Sequence, residues 1–119
     1  MVSRRSLTVK DPTYQKIIKM GSGIAPDLKR IARNKDIQWH YIAYWMLGQI
    51  KDRDSIPFLM DALDSKDEAV QIHAVWGLNC LLRKGRYNSG DPNAEEIKSR
   101  YKKWWEKHKH EFPGPSASQ

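Results

Sequence analysis

Cysteine is almost missing from this sequence, because Cys80 is the only one among its 119 residues. An intrachain disulfide is therefore excluded, and a reducing compartment, the cytoplasm, is the expected location. Long apolar runs are missing as well, since His, Gln or a charged residue interrupts each run well before the roughly 18 residues that a membrane span requires. These two absences predict a cytoplasmic protein that is not embedded in a membrane.

Recognisable catalytic and metal-binding motifs are also lacking. The glycine segment of residues 21–23 is not followed by the Lys and the Ser or Thr of a phosphate-binding loop. Cys80 has no nucleophile signature around it. His108 and His110 are two residues apart, so they lie on different faces of a helix and fall short of a zinc ligand set. We therefore expect a protein that is not an enzyme and that has no catalytic residues, no cofactor and no metal.

Positive charge is in excess in this sequence, and it is distributed unevenly along the chain. The formal net charge is +7. Residues 1–35 hold nine Lys and Arg against two Asp and Glu, residues 36–80 hold three against seven, and residues 81–119 hold nine against five. The two ends are therefore basic and the centre is acidic, which permits a polyanionic partner at the ends without identifying one.

An internal repeat occupies the centre of the chain. A shift of 31 residues superimposes residues 26–47 on residues 57–78 with seven identities. These identities pair Pro26 with Pro57, Leu28 with Leu59, Lys35 with Lys66, Asp36 with Asp67, Ala43 with Ala74, Trp45 with Trp76 and Leu47 with Leu78. Self-similarity at such a period is typical of repeat proteins, in which neighbouring helical units stack to bury a common core.

Each copy of the repeat is predicted to form two helices. In the second copy, Pro57 suits the first turn of a helix, Ser65 caps the next helix, and Glu68 reaches back to complete a capping box. Apolar residues recur at spacings of three and four through both copies, and no segment alternates as a strand would. The short polar connection at residues 51–55 favours antiparallel neighbouring helices.

Further helices are expected on both sides of the repeat. Asp-Pro pairs at residues 11–12 and 91–92 are helix-start signals, which predict helices over residues 12–21 and 92–110. In the second of these, the neighbours Trp104-Trp105 point about 100° apart on a helix. One of the two tryptophans should therefore anchor the helix while the other is partly exposed.

The composition of the two ends predicts the domain boundaries. Residues 1–10 are expected to be a mobile basic arm, and residues 11–110 a single helical domain. Residues 111–119 are rich in Pro, Gly and Ser without periodicity, so they are expected to be a disordered tail.

The repeat follows a known pattern, carried in the second copy by Ile56-Pro57-Phe58-Leu59, Ala62-Leu63-Asp64, Val70, Ala74-Val75 and Gly77-Leu78, and in the first by Ala25-Pro26-Asp27-Leu28, Ala43 and Leu47-Gly48. These segments resemble the HEAT-repeat family in its short bacterial form. The chain departs from the pattern at His40 and Gln71, where Arg is frequent. The resemblance implies an all-α fold, a short α-solenoid of two HEAT-like helical hairpins with capping helices at both ends. It implies no single function, because such repeats serve many roles.

The same resemblance places the second helix of each hairpin on a concave surface. The residues there that stacking does not require are candidates for partner binding, namely His40, Tyr41, Trp45, Ile72, His73 and Trp76. Tyr41 and Trp45 share one helix face, as do Ile72 and Trp76, which predicts an apolar and aromatic strip suited to anchoring a protein partner. The alternative is ordinary burial, in which the C-terminal helix folds over the strip.

Two charged surfaces are further candidates. An acidic surface that a basic peptide or protein could meet would consist of Asp52, Asp54, Asp61 and Asp64. A nucleic-acid-binding site would use the basic flanks, represented by Arg4, Arg5, Lys29, Arg30, Arg33, Lys98, Lys102 and Lys103. The competing interpretation of these cations is a solvated surface that keeps the ends of a solenoid soluble.

The expected function is therefore a non-catalytic protein-protein interaction module or scaffold, which is monomeric or weakly dimeric and binds a protein or peptide through its concave groove. The alternative is a nucleic-acid-binding accessory protein that uses its basic N- and C-terminal flanks.

Overall fold

The computed structural model describes residues 21–112, which are helical and contain no strand. Within this range lie five α-helices, α1 Ala25–Arg33, α2 Ile42–Gln49, α3 Ile56–Ala62, α4 Glu68–Leu82 and α5 Ala94–His108. Short 3₁₀ turns at Gly21–Ile24, Arg53–Ser55 and Lys109–Glu111 flank α1, α3 and α5. Three predicted segments lie wholly or partly outside the described residues. They are the arm at residues 1–10, the helix at 12–21 except for its last residue, and residues 113–119 of the tail.

Two helical hairpins, α1 with α2 and α3 with α4, stack side by side. Helices α2 and α4 share the most extensive helix–helix contact in this part of the chain. Residues that the 31-residue shift makes equivalent are buried alike, since Leu28 and Leu59 are 1% and 0% exposed, and Ala43 and Ala74 are both fully buried. The repeat read from the sequence is therefore confirmed as a repeat of packing, and the fold is an all-α stack of two hairpins.

Two glycines allow α2 and α4 to approach at backbone distance. A methyl group added at Gly48 would overlap the backbone of Gly77, and one added at Gly77 would lie 2.5 Å from the carbonyl oxygen of Tyr44. Real Cβ atoms do not come so close to a backbone oxygen, so only glycine fits at this crossing. The close approach brings the side chains on the outer faces of the two helices within contact of each other.

Helix α4 begins later than the capping box predicted. The N-cap is Asp67, whose carboxylate accepts a hydrogen bond from the backbone N–H of Ala69 at 2.9 Å. Ser65 instead accepts from the N–H of Asp67 at 3.0 Å, and Glu68 accepts from Ser89. The prediction of Ser65 as the cap was therefore wrong, because the extended backbone of Asp67 places a nearer oxygen over the first helical turn.

The first hairpin is less regular than the second. Helix α2 begins at Ile42, whereas the 31-residue shift of the start of α4 would place it at Ile37. The intervening residues form successive tight turns, with backbone hydrogen bonds from His40 to Ile37 and from Ile42 to Trp39. Most of these residues are β-branched or aromatic, which are poor helix formers, so the predicted first turn of this helix is replaced by turns.

The last helix runs parallel to α4 because the connection of residues 83–93 turns back along that helix. Ser89 in the connection donates to Glu68, the first residue of α4. The hydroxyl of Tyr101, half-way along α5, donates to the carbonyl of Gly85, just beyond the end of α4. Helix α5 thus covers this end of the core, as predicted for a C-terminal cap, and buries Tyr101 completely.

The end of α5 is held by a cluster of rings. Trp104 stacks on His108, with ring centroids 4.3 Å apart, and Trp105 contacts Phe112 at 5.5 Å. The guanidinium of Arg53 lies 5.6 Å from the Phe112 ring. Both tryptophans are half-buried, so the anchoring function expected of one of them is divided between two. None of the helices in the described range has the length and apolar character needed to cross a bilayer.

Candidate functional site

Four rings from α2 and α4 and the turn before α2 form a continuous aromatic strip, defined here as Tyr41, His73, Trp76 and Trp45. The ring centroids of Tyr41 and His73 are 4.7 Å apart, and those of His73 and Trp76 are 4.8 Å apart. Trp76 meets Trp45 edge to face at 5.3 Å. All four side chains are half-buried, so the strip lies on the outer side of the second-helix layer.

The local sequence explains why these rings line up. Tyr41 and Trp45 are four residues apart and His73 and Trp76 are three apart, so each pair occupies one side of its helix. The contact between Gly48 and the backbone of α4 then brings the two sides together. The structure thus places Trp45 beside Trp76, as the 31-residue shift predicted, but it pairs Tyr41 with His73.

Two of the six predicted residues do not belong to this surface. Ile72 is only 6% exposed and packs in the core, although it lies four residues before Trp76 and so on nearly the same side of the helix. Its place beside Tyr41 is taken by His73, another of the six predicted residues. Spacing alone could not have identified the correct pair, because residues three and four before Trp76 both lie on its side of the helix.

His40 is the second of these residues, and its function is structural. It is 8% exposed, and its Nδ1 lies 3.0 Å from the carbonyl oxygen of Ala32 near the end of α1. In the second hairpin the equivalent residue is Gln71, whose side-chain amide donates to the carbonyl of Ser65. His40 thus contacts a carbonyl in the last turn of α1, whereas Gln71 bonds one in the connection between α3 and α4.

His73 is the ionisable member of the strip. Its Nδ1 lies 2.7 Å from the carbonyl oxygen of Ala69, and because a carbonyl can only accept, Nδ1 carries the proton. Burial lowers the pKa of His73 below its ordinary value of 6.5, although the bond to Ala69 opposes this shift. At neutral pH the imidazole is therefore uncharged, and it behaves as one more ring of the strip.

One end of the strip is covered by the connection between α4 and α5. The indole N–H of Trp76 donates to the carbonyl of Tyr87 at 2.9 Å, and the guanidinium of Arg86 lies 5.3 Å from the Trp76 ring. Helix α5 itself packs elsewhere, against α3 and the carbonyls of Lys84 and Gly85. The strip is thus covered at Trp76 by the connection, and not at both tryptophans by the last helix as the alternative had it.

The four predicted acidic residues do not form one surface. Asp52 is only 7% exposed and accepts a hydrogen bond from the buried hydroxyl of Ser55, so its inclusion in an exposed surface was wrong. Asp54, Asp61 and Asp64 are exposed, but Asp64 forms an ion pair with Lys102 at 2.9 Å. Since Asp61 and Asp64 belong to the first-helix side of the second hairpin, they do not border the aromatic strip.

The predicted nucleic-acid-binding cations are distributed over separate places. Lys29 and Arg33 lie over the ring of Phe58, 5.7 and 5.0 Å from its centroid. Three of the other cations within the described residues pair with carboxylates, Arg30 with Asp27, Lys98 with Glu95 and Lys102 with Asp64. The remaining one, Lys103, lines a pocket at the end of α4. Arg4 and Arg5 lie outside the described residues.

Groups that could carry chemistry are sparse in residues 21–112. The single thiol, Cys80, is free and half-buried, and its backbone carbonyl accepts a hydrogen bond from the ammonium of Lys51 at 2.8 Å. Over the same range, no three His, Cys, Asp or Glu side chains gather where they could hold a metal ion.

Stacked antiparallel helical hairpins with an equivalent core define the chain as an α-solenoid repeat protein. The sequence model of the HEAT-repeat family matches residues 25–94, which is more than half of the chain. The protein therefore belongs to the HEAT-repeat family. No curated protein and no solved structure gives a significant match to the chain.

Proposed function

We propose that this protein is a non-catalytic interaction module that binds a protein partner on the aromatic strip. One observation carries the proposal, namely that four half-buried rings form an unbroken strip on the outer side of the second helices. Large aromatic rings are favoured anchors at protein interfaces because each contributes apolar area at little cost in conformational entropy.

The composition of the second helices supports the same proposal. Helix α2 contains no charged residue, and α4 contains only Glu68, at its first position. A helix that is apolar all round is normally covered on all sides, whereas a surface helix carries a polar face. The first-helix layer covers one side of α2 and α4, so a partner on the other side would complete their burial.

The partner should contribute apolar side chains that lie across Tyr41 and Trp45, the members of the strip distant from the connection. Such contacts depend little on ionic strength, in contrast to binding of a polyanion. We further propose a cytoplasmic location, from the single cysteine, and a monomeric or weakly dimeric state.

The test compares partner capture by single-residue variants of the folded protein. Tyr41→Ser and Trp45→Ser remove rings from the strip while Trp76, which holds the connection, stays in place. Phe58→Ser is the matched control, because Phe58 is also a half-buried ring but stacks on Tyr44 outside the strip. Partners are captured from an extract of the native host, quantified at low salt and at about 0.5 M salt, and then measured in purified form by calorimetry.

The proposal requires a partner whose binding survives high salt and weakens about tenfold or more in each strip variant, since truncating an anchor residue typically costs about 2 kcal/mol or more. A purified partner that binds the strip variants as tightly as the unaltered protein would contradict it. Equal weakening by Phe58→Ser would also contradict it, because the strip would then have no specific part in binding.

A further inference from the structure

A basic pocket of about 700 Å³ lies between the end of α4 and the second half of α5. Five of the residues that line it are the cations Arg83, Lys84, Arg100, Lys103 and Lys107. No carboxylate is among the described residues of its lining. This site is separate from the aromatic strip, and the argument for it does not depend on the proposed function.

The local backbone holds this pocket in place. Arg83 ends α4 in the left-handed conformation, with φ of 55°, and its N–H donates to the carbonyl of Asn79. Two hydrogen bonds then fix the following residues against α5, because Tyr101 donates to the carbonyl of Gly85 and Arg100 donates to that of Lys84 at 3.2 Å. The cations at the end of α4 are thus presented toward those of α5 by a fixed backbone.

The lysines of α5 and of the turn after it differ in ion pairing, depending on whether they line the pocket. Outside the pocket they are paired with carboxylates, since Lys98 contacts Glu95, Lys102 contacts Asp64 and Lys109 contacts Glu106, at 2.9 to 3.0 Å. Within the pocket, Lys103 and Lys107 form no ion pair with any residue of the described range. The lysines without a carboxylate partner are therefore the two that face the pocket.

Of the other three pocket cations, one is paired with a carboxylate and two are not. Arg100 pairs with Glu96 at 3.1 Å, whereas Arg83 and Lys84 have no carboxylate partner within residues 21–112. The carbonyls at the end of α4 favour a cation there, which accounts for Arg83 and Lys84 but not for two lysines of another helix. Four like charges around one concavity repel each other, and an anion with several charges would relieve that repulsion.

We propose that this basic pocket binds a ligand that carries two or more phosphate groups. Phosphate oxygens accept several charge-assisted hydrogen bonds, so cations on two sides of a cleft suit a chain of phosphates better than one carboxylate. The volume lies within the range of about 300 to 1,000 Å³ that is typical of small-molecule sites, and it exceeds the needs of a single phosphate. The phosphates could belong to a free polyphosphate compound or to a nucleic-acid strand.

The experiment measures two probes against two double variants of the full chain. Inorganic tripolyphosphate is titrated by calorimetry, and a labelled single-stranded oligonucleotide of about 12 nucleotides by fluorescence anisotropy. The pocket variant is Lys103→Gln/Lys107→Gln. The control variant, Lys66→Gln/Lys109→Gln, removes the same amount of charge at exposed positions outside the pocket. Circular dichroism establishes that both variants remain folded.

The expected result is that the pocket variant binds at least one probe about tenfold or more weakly, while the control variant changes its affinity less than about twofold. Loss of tripolyphosphate binding identifies a free polyphosphate ligand, and loss of oligonucleotide binding alone identifies a nucleic-acid strand. For the oligonucleotide, the slope of log affinity against log salt should become shallower by about 1.4 when two phosphate contacts are lost.

A second measurement locates the ligand independently of the variants. Trp104 lines the pocket and Trp45 does not, so the indole N–H resonance of Trp104 should shift on adding the probe while that of Trp45 stays unchanged. Absence of binding by both probes would overturn the proposal. Equal weakening in the two variants would also overturn it, because net charge rather than the pocket would then determine affinity.

Discussion

Individual residues in this protein show how one side-chain type serves different ends according to its surroundings. His40 and His73 lie near the same crossing of helices, yet His40 bonds the carbonyl of Ala32 in the core, while His73 forms part of the aromatic strip. Both Nδ1 atoms lie near a backbone carbonyl. The two differ in their surroundings, because His40 is buried in the core whereas His73 is half-buried and its ring contacts those of Tyr41 and Trp76.

The lowered pKa of His73 predicts a loss of stability in mild acid. The unfolded chain takes up a proton at His73 near pH 6.5, whereas the folded chain does so only at lower pH. Stability is therefore unaffected above that pH and falls as pH drops below it, because the unfolded state then binds more protons. His73→Gln and His73→Leu should both make the melting temperature less dependent on pH between about 7.5 and 5.5. Unchanged pH dependence in both variants would show that His73 titrates normally.

At the scale of elements, the crossing of α2 and α4 determines the geometry of the strip. The two helices meet at Gly48 and Gly77, which are not equivalent under the 31-residue shift. The contact therefore belongs to the interface between the hairpins and not to the repeat unit. Because backbone touches backbone at this point, a change of one methyl group acts on both helices at once.

Gly48→Ala should destabilise the protein by about 3 kcal/mol, because the added methyl group overlaps the backbone of Gly77 and the helices must separate. Separation also moves Trp45 away from Trp76, so the intrinsic fluorescence of the folded state should change. Denaturant titration measures the free energy of unfolding. Gly23→Ala is the control, since its methyl group meets nothing within 4 Å, and its effect should stay within about 0.5 kcal/mol. Equal stability of the two variants would show that the close crossing does not exist.

At the scale of the whole molecule, the connection of residues 83–93 and helix α5 act together as a cap on the second hairpin. Two buried tyrosines hold this cap, as Tyr87 is 3% exposed and Tyr101 is fully buried. Burial raises the pKa of each to about 12 from the ordinary value of 10.0. Ionisation of either phenol would place a charge in the apolar interior.

Alkaline pH should therefore loosen the cap. Because the folded pKa values exceed the unfolded ones, the stabilisation is fully present below pH 10 and is lost as pH rises to about 12, by about 2 kcal/mol for each tyrosine. Tyr101→Phe loses the hydrogen bond to Gly85 and should be about 1 kcal/mol less stable at pH 8. Its deficit should shrink and reverse near pH 12, as measured by denaturant titration. A deficit that is constant over this range would contradict the raised pKa of Tyr101.

The sequence alone determined the class of fold and much of the packing. Equivalent apolar residues such as Leu28 and Leu59 identified the buried faces, because burial of a helix stripe imposes a period that the chain itself records. The same repeat placed Trp45 beside Trp76, since equivalent positions on stacked hairpins are neighbours. Helix boundaries were less certain, as Asp67 shows, because competing caps a few residues apart differ by small energies.

Only the tertiary structure decided which side chains meet. His40 is buried beside the carbonyl of Ala32 in α1, eight residues away, and no helical periodicity specifies that contact. Ile72 and His73 both lie within one turn of Trp76, and only the packing of α4 against α2 places His73 on Tyr41 and Ile72 in the core. The basic pocket arises from residues on two helices that a reversing connection brings together. Periodicity is a property of one helix, whereas a site depends on the distances between helices, and these are set by packing.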